Sequence, residues 1–164
     1  MSRAGADLAL LLLGGFRFMA EEATDRLAAR GYPGVRPAHD FALRAVAAGA
    51  DSVSEVGRRA SVSRQAAAKT VAFLEEGGYV LRTPGPGDPR RARPTVTDRG
   101  HSLMREGEAV FDELRAQWES QVGRDRVSDL QDALLRLLGP DDATLTGWAE
   151  ADDQTSAALD PPLA

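Results

Sequence analysis

The sequence predicts a mainly α fold with one small β-hairpin, and three observations carry that expectation. Apolar residues recur at spacings of three and four over most of the chain, which is the pattern of one buried helix face. The pattern changes to extended, strand-favouring residues only at Tyr79–Thr83 and Arg91–Thr97. Between these two runs stands the turn cluster Pro84-Gly-Pro-Gly-Asp-Pro89. A chain of 164 residues with 43% hydrophobic content has the size and the apolar inventory of one compact domain.

In the first helix, Leu8, Leu12, Phe16, Met19, Ala23 and Leu27 make one stripe that ends near Gly31. Leu10, Leu11, Leu13 and Phe18 make the start of this helix apolar on most sides, so it is expected to pack on a second subunit as well as on its own core. Gly14-Gly15 costs about 1 kcal/mol per glycine relative to alanine and should mark a kink or a close helix crossing. The run Leu8–Leu13 is too short to span a bilayer. Asp7 precedes it and no small-x-small cleavage site follows, so no membrane partner and a cytoplasmic location are expected.

Pro37 suits the first turn of a second helix carrying Phe41, Leu43 or Ala42, and Val46, which stops at Gly49. Ser52 or Ser54 caps a short third helix with Val56 and Ala60 inward. Ser63 is the expected N-cap of a fourth helix running to about Gly77, with Gly78 placed for a left-handed C-terminal cap. After the hairpin, Thr97 caps a long helix from about Asp98 to Gln121, striped by Leu103, Val110, Leu114 and Trp118. Val127, Leu130, Leu134, Leu137 and Leu138 mark a last helix, closed by Gly139-Pro140. Residues 140–164 hold six acids and no base and are expected to form a loose acidic tail.

Two short helices joined by a tight turn and followed by a hairpin make a winged helix-turn-helix, here flanked by a helical dimerisation region. The charge is distributed to match. The whole chain carries −5, yet Arg58 to Arg105 holds ten Arg or Lys against four acids. In the fourth helix Ala67, Thr70, Val71 and Leu74 face the core, which leaves Arg64, Gln65, Ala66, Ala68 and Lys69 outward. Arg64 has the fork for guanine and Gln65 the amide for adenine, while Ala66 and Ala68 permit close approach and contact with thymine methyls. Ser63 and Lys69 suit phosphate. Double-stranded DNA is thus the expected partner.

Other chemistries lack their residues. With no cysteine, thiolate metal sites, disulfides and cysteine catalysis are excluded. The two histidines, His39 and His101, stand 62 positions apart with no ligand cluster beside either, so no metal is expected. No nucleophile stands near a base, and the prolines around Gly85 and Gly87 remove the amides a phosphate cradle needs, so neither catalysis nor a cofactor is expected.

The segment from about 36 to 100 resembles the MarR (multiple antibiotic resistance regulator) transcription factors. The resemblance lies in Arg36-Pro-Ala-His-Asp-Phe41, Val62-Ser-Arg-Gln65, Leu74-Glu-Glu-Gly-Gly-Tyr-Val80, Gly87-Asp-Pro-Arg-Arg91 and Val96-Thr-Asp-Arg-Gly100. It implies a homodimeric repressor on a pseudo-palindromic operator, joined by the first and the last two helices and answering to a small-molecule effector. It further implies that Arg90 and Arg91 of the wing reach DNA, with Asp88 orienting Arg90. The corresponding effector position would involve Phe16, Arg17, His39 and Phe41, side chains that simple packing accounts for as well. Pro89, Pro94 and the alanines of the fourth helix depart from the family pattern and leave the operator sequence open. The expected division is 1–35 and 101–139 for dimerisation, 36–100 for DNA and 140–164 for the tail. A winged-helix module that only contacts other proteins stays open as the second reading, against which the basic wing argues.

Overall fold

The computed structural model describes residues 4–85 and 88–138, with the backbone alone at 85 and 88–91 in the wing. The order is α1 (Ala4–Ala29), α2 (Pro37–Ala47), α3 (Val53–Arg59), α4 (Arg64–Glu76), β1 (Val80–Gly85), β2 (Asp88–Val96), α5 (Asp98–Val122) and α6 (Arg124–Leu138). The acidic tail lies outside the described residues. No helix among the described residues is long and apolar enough to cross a membrane.

The helix starts follow from their caps. Ser52, Ser63 and Thr97 are the N-caps of α3, α4 and α5, each side chain accepting the backbone N–H three residues on. Of the two candidates for α3, Ser52 is the one used. The C-terminal cap of α4 bends through Gly78, whose φ of 71° is the left-handed region that favours glycine. Tyr79 then starts the wing, buried, with its N–H on the Leu74 carbonyl.

The core is built by α2, α3, α4, the base of the wing, the C-terminal part of α1 and the N-terminal two-thirds of α5. Leu27, Val35, Leu43, Val56, Val71, Leu74, Val80, Leu103, Val110 and Leu114 are fully buried in it. Close crossings rest on small residues. A Cβ on Gly57 would sit 3.2 Å from the Ala67 Cβ, so α3 meets α4 where neither carries bulk. Gly100 of α5 abuts the Tyr79 carbonyl, locking the wing base to that helix. Thr97 adds two bonds there, its Oγ1 donating to the Gly78 carbonyl at 2.7 Å and its N–H to the Tyr79 carbonyl at 3.0 Å.

Three expectations change in detail. The strands run further than the turn cluster suggested: β1 continues through Pro84 and Gly85 and β2 begins at Asp88, with a register shift at Pro84/Gly85. Pro94 also pairs within the ladder, opposite Arg82. In a two-stranded ribbon each strand is an edge, so a proline can occupy a position whose missing N–H would have pointed away from its partner. Of the two alternatives for Gly14-Gly15, the close crossing is the one found: α1 is continuous, and Gly15 lies against Trp118 of α5, whose ring would stand 3.5 Å from an added Cβ. Finally, of the α1 stripe Ala23 and Leu27 are buried in the protomer core and Met19 packs against it half-buried, while Leu8, Leu12 and Phe16 stay exposed.

Candidate nucleic-acid interface

The outward face of α4 is where the sequence placed it. Arg64, Gln65, Ala66, Ala68 and Lys69 are exposed, Ala67, Val71 and Leu74 are buried, and Thr70 is half-buried. The tight turn before it is closed by the Val62 N–H on the Gly57 carbonyl, with Ser61 in the left-handed region at φ 52°. Serine there is strained, and such strain is kept only where surrounding structure fixes the turn. The Ser63 hydroxyl accepts the Ala66 N–H at 3.2 Å. Its own O–H remains a donor, and the free amides of the first turn share that end of the helix, so the site suits a phosphate oxygen.

Neighbouring basic groups divide into paired and unpaired. Arg58 and Arg59 of α3 both bond Glu55, and together they push the Glu55 carboxyl down to about 2. Arg82 at the base of the wing pairs with Glu75 at 2.7 Å, tying β1 to α4. The Arg99 guanidinium lies 5.0 Å above the Tyr79 ring. Arg93 is exposed on the wing, opposite Thr83. The side chains of Arg90 and Arg91, expected as the wing's DNA contacts, and of Asp88, expected to orient Arg90, lie outside the described residues.

A cleft of about 630 Å³ separates α1 from the start of α2, lined by Phe16, Arg17, Ala20, Glu21, Thr24 and Asp25 on one side and Arg36, Pro37 and Ala38 on the other. Of the four side chains at the position the resemblance implied, Phe16 and Arg17 belong to it, while His39 and Phe41 line neither wall. The His39 ring is stacked on Phe73 of α4 at 4.0 Å and 8°, and its Nδ1 accepts the Arg36 N–H at 2.9 Å. Burial, and after it the Arg36 charge, hold its imidazole below the ordinary value. Phe41 instead borders a separate apolar cavity of about 100 Å³ under α4. Among the described residues no group of acids and histidines is placed to hold a metal.

Sequence reading missed one feature: the buried pair Asp40–Arg44 on α2. The signal was there in the spacing, an acid four residues before an arginine in an otherwise apolar helix, which is the arrangement for a side-chain bond on one face.

Residues 34–91 match the family model of the MarR family. No curated protein matches the chain in sequence. Among solved structures, the chain is similar to a Mycobacterium tuberculosis MarR family protein in complex with p-aminosalicylic acid, at 25% identity and a TM-score of 0.63, covering 80% of this chain and 98% of that one. A structure of the Mycobacterium tuberculosis protein in complex with DNA gives 24% identity and a TM-score of 0.62, covering 79% and 96%. CouR from Rhodococcus jostii, bound to p-coumaroyl-CoA, gives 21% and 0.63, covering 82% and 93%. Residues 34–91 thus match the MarR family model, and over about four-fifths of its length the chain has the fold of these solved structures.

Proposed function

We propose that this protein is a homodimeric transcriptional regulator that binds double-stranded DNA sequence-specifically and releases it in response to a small-molecule effector. The observation that carries the reading is the outward face of α4, where Arg64, Gln65, Ala66, Ala68 and Lys69 stand exposed on a helix whose other face is fully packed. Arg64 and Gln65 read base edges in the major groove, the two alanines allow close approach, and Ser63 and Lys69 hold phosphate. Arg90 and Arg91 extend the contact along the wing, with Asp88 orienting Arg90 so that less side-chain freedom is lost on binding.

The assembly divides as 36–100 for DNA and 1–35 with 101–139 for dimerisation, with 140–164 as an acidic tail outside both. Leu8, Leu10, Leu11, Leu12, Leu13 and Phe16 on α1 and Leu130, Leu135, Leu137 and Leu138 on α6 are exposed in the single chain, a load of apolar surface that supports a second copy against these ends. The cleft between α1 and α2 is the effector site this reading favours. Its wall joins a dimer helix to the lobe that carries α4, so an occupant acts on both. Occupying an operator excludes other proteins from it, which makes a cytoplasmic repressor the simplest form of the function, with no catalytic step.

The experiment is selection of bound fragments from random duplex DNA. The expected result is a pseudo-palindrome with half-sites about 10 bp apart, bound with an affinity that falls steeply as salt rises. Retention of no duplex would overturn the reading and leave a protein-contact module.

A further inference from the structure

Arg44 and Asp40 are buried where α2 crosses α5, bonded to each other within α2, and two further Arg44 bonds run across the crossing. Arg44 Nε donates to Asp40 Oδ2 at 2.9 Å, Nη1 to Glu108 Oε1 at 2.8 Å and Nη2 to the Met104 carbonyl at 3.2 Å. The other Asp40 oxygen, Oδ1, is buried without a hydrogen-bond partner and lies over Gly107, where an added Cβ would stand 3.0 Å from it. Met104, Gly107 and Glu108 are three and four residues apart, so one arginine fork and one carboxylate grip a single turn of α5.

Stability is a poor account of this arrangement. Buried ion pairs recover their desolvation only incompletely, burial pushes the Asp40 carboxyl up, and glycine in a helix interior weakens α5. What a charged fork supplies and an apolar contact does not is direction. Ala42, Leu43, Leu103 and Val110 bury area that tolerates sliding, whereas the two Arg44 bonds to α5, aimed by the Asp40 carboxylate on Arg44's own helix, set both the translation of α2 along α5 and its rotation about it.

We propose that Asp40, Arg44 and Glu108 are positioning residues which fix the angle of each DNA-binding lobe on α5, and thereby the distance between the two recognition helices of the dimer. The proposal rests on the dimeric DNA-binding reading above. Two equivalent helices must fall about 34–36 Å apart to enter successive major grooves, so a lobe free to tilt on α5 tolerates wrongly spaced half-sites.

The chain has no cysteine, so Ala72→Cys places one spin label on each α4. Pulsed dipolar spectroscopy of the free dimer then reads the distance between them without DNA. In Asp40→Leu/Arg44→Met, which removes both buried charges, and in Glu108→Ala, which removes a half-exposed arm, the distance distribution should broaden at least two-fold while melting stays cooperative. The preference for the selected operator over versions lengthened or shortened by one base pair should fall at least three-fold. Folded dimers of both variants with distributions as narrow as the parent would overturn the proposal, and if the double variant fails to fold, Glu108→Ala alone decides. Binding of no duplex by the parent would instead sink the DNA-binding reading, while the inter-label distances still judge the clamp.

Discussion

The lobe of α2, α3, α4 and the wing and the outer ends of α1 and α6 are built to opposite standards. From Val35 to Thr97, α3 and α4 start on serine caps, large apolar residues such as Leu43, Val56 and Leu74 are buried, and the wing base is bonded to α5. In the first half of α1 and the last turns of α6, leucine after leucine stands bare. The lobe buries its large apolar residues within one chain, whereas the ends leave theirs exposed there, and on the proposed reading a second chain covers them. That reading makes folding and assembly one event for the ends, with the lobe's stability set locally.

The largest effect should come from putting a charge on the bare surface. Leu12→Glu buries two carboxylates in a two-fold interface, each costing several kcal/mol to desolvate, and should yield protein sedimenting at the 17.5 kDa of one chain. A monomer has one half-site to hold, so operator affinity should drop by about 10²–10⁴-fold. An unchanged dimer would mean that the exposed leucines of α1 have some other role.

Next comes the same comparison in the core. Leu74→Ala should cost about 2–5 kcal/mol, lowering the melting temperature by an equal amount at every protein concentration. Leu12→Ala should lower it through association alone, so its shift should be absent at concentrations where both proteins are monomeric and grow to a plateau as the protein is concentrated. Concentration-dependent loss in Leu74→Ala would show that the lobe too depends on the dimer.

The smallest effect concerns pH. Folding lowers the His39 pKa below the usual value of about 6.5 by burying a neutral ring that accepts the Arg36 N–H. The contribution is thus present above pH 6.5 and is lost as pH falls below it. Melting temperature should decline modestly between pH 6.5 and 5, and His39→Phe, which keeps a ring on Phe73, should decline less. Equal slopes would assign the acid sensitivity elsewhere.

The lobe was also the more legible half in sequence, for the same physical reason. Ser63, Gly78 and Thr97 act within a few residues of themselves, so their roles follow from position alone. The outward set on α4 followed from helical spacing once Ala67, Val71 and Leu74 were read as inward. The extent of the strands was not legible, because a proline's effect depends on which side of the ribbon its missing N–H would face. Nor was the α1 stripe divisible into own core and bare surface: Leu12 and Leu27 are the same residue type, and only tertiary packing separates them. The Asp40–Arg44 clamp needed α5 beside α2, a neighbour some sixty residues away in sequence. His39 and Phe41 were assigned to an effector position by resemblance, and their neighbours turned out to be Phe73 and a small apolar cavity.

The central claim is that α4 separates reading from positioning, and binding constants measured against salt test it most directly. For the selected operator and a scrambled duplex, dissociation constants of the parent, Arg64→Ala and Lys69→Ala would be followed across a range of salt. Arg64→Ala should lose about 1–3 kcal/mol on the operator and little on the scrambled duplex. Lys69→Ala should weaken both duplexes alike and flatten the slope of log affinity on log salt by about two units in the dimer, one for each phosphate that is no longer neutralised. Equal losses by Arg64→Ala on both duplexes would contradict the claim and reduce α4 to a charged surface that reads no sequence.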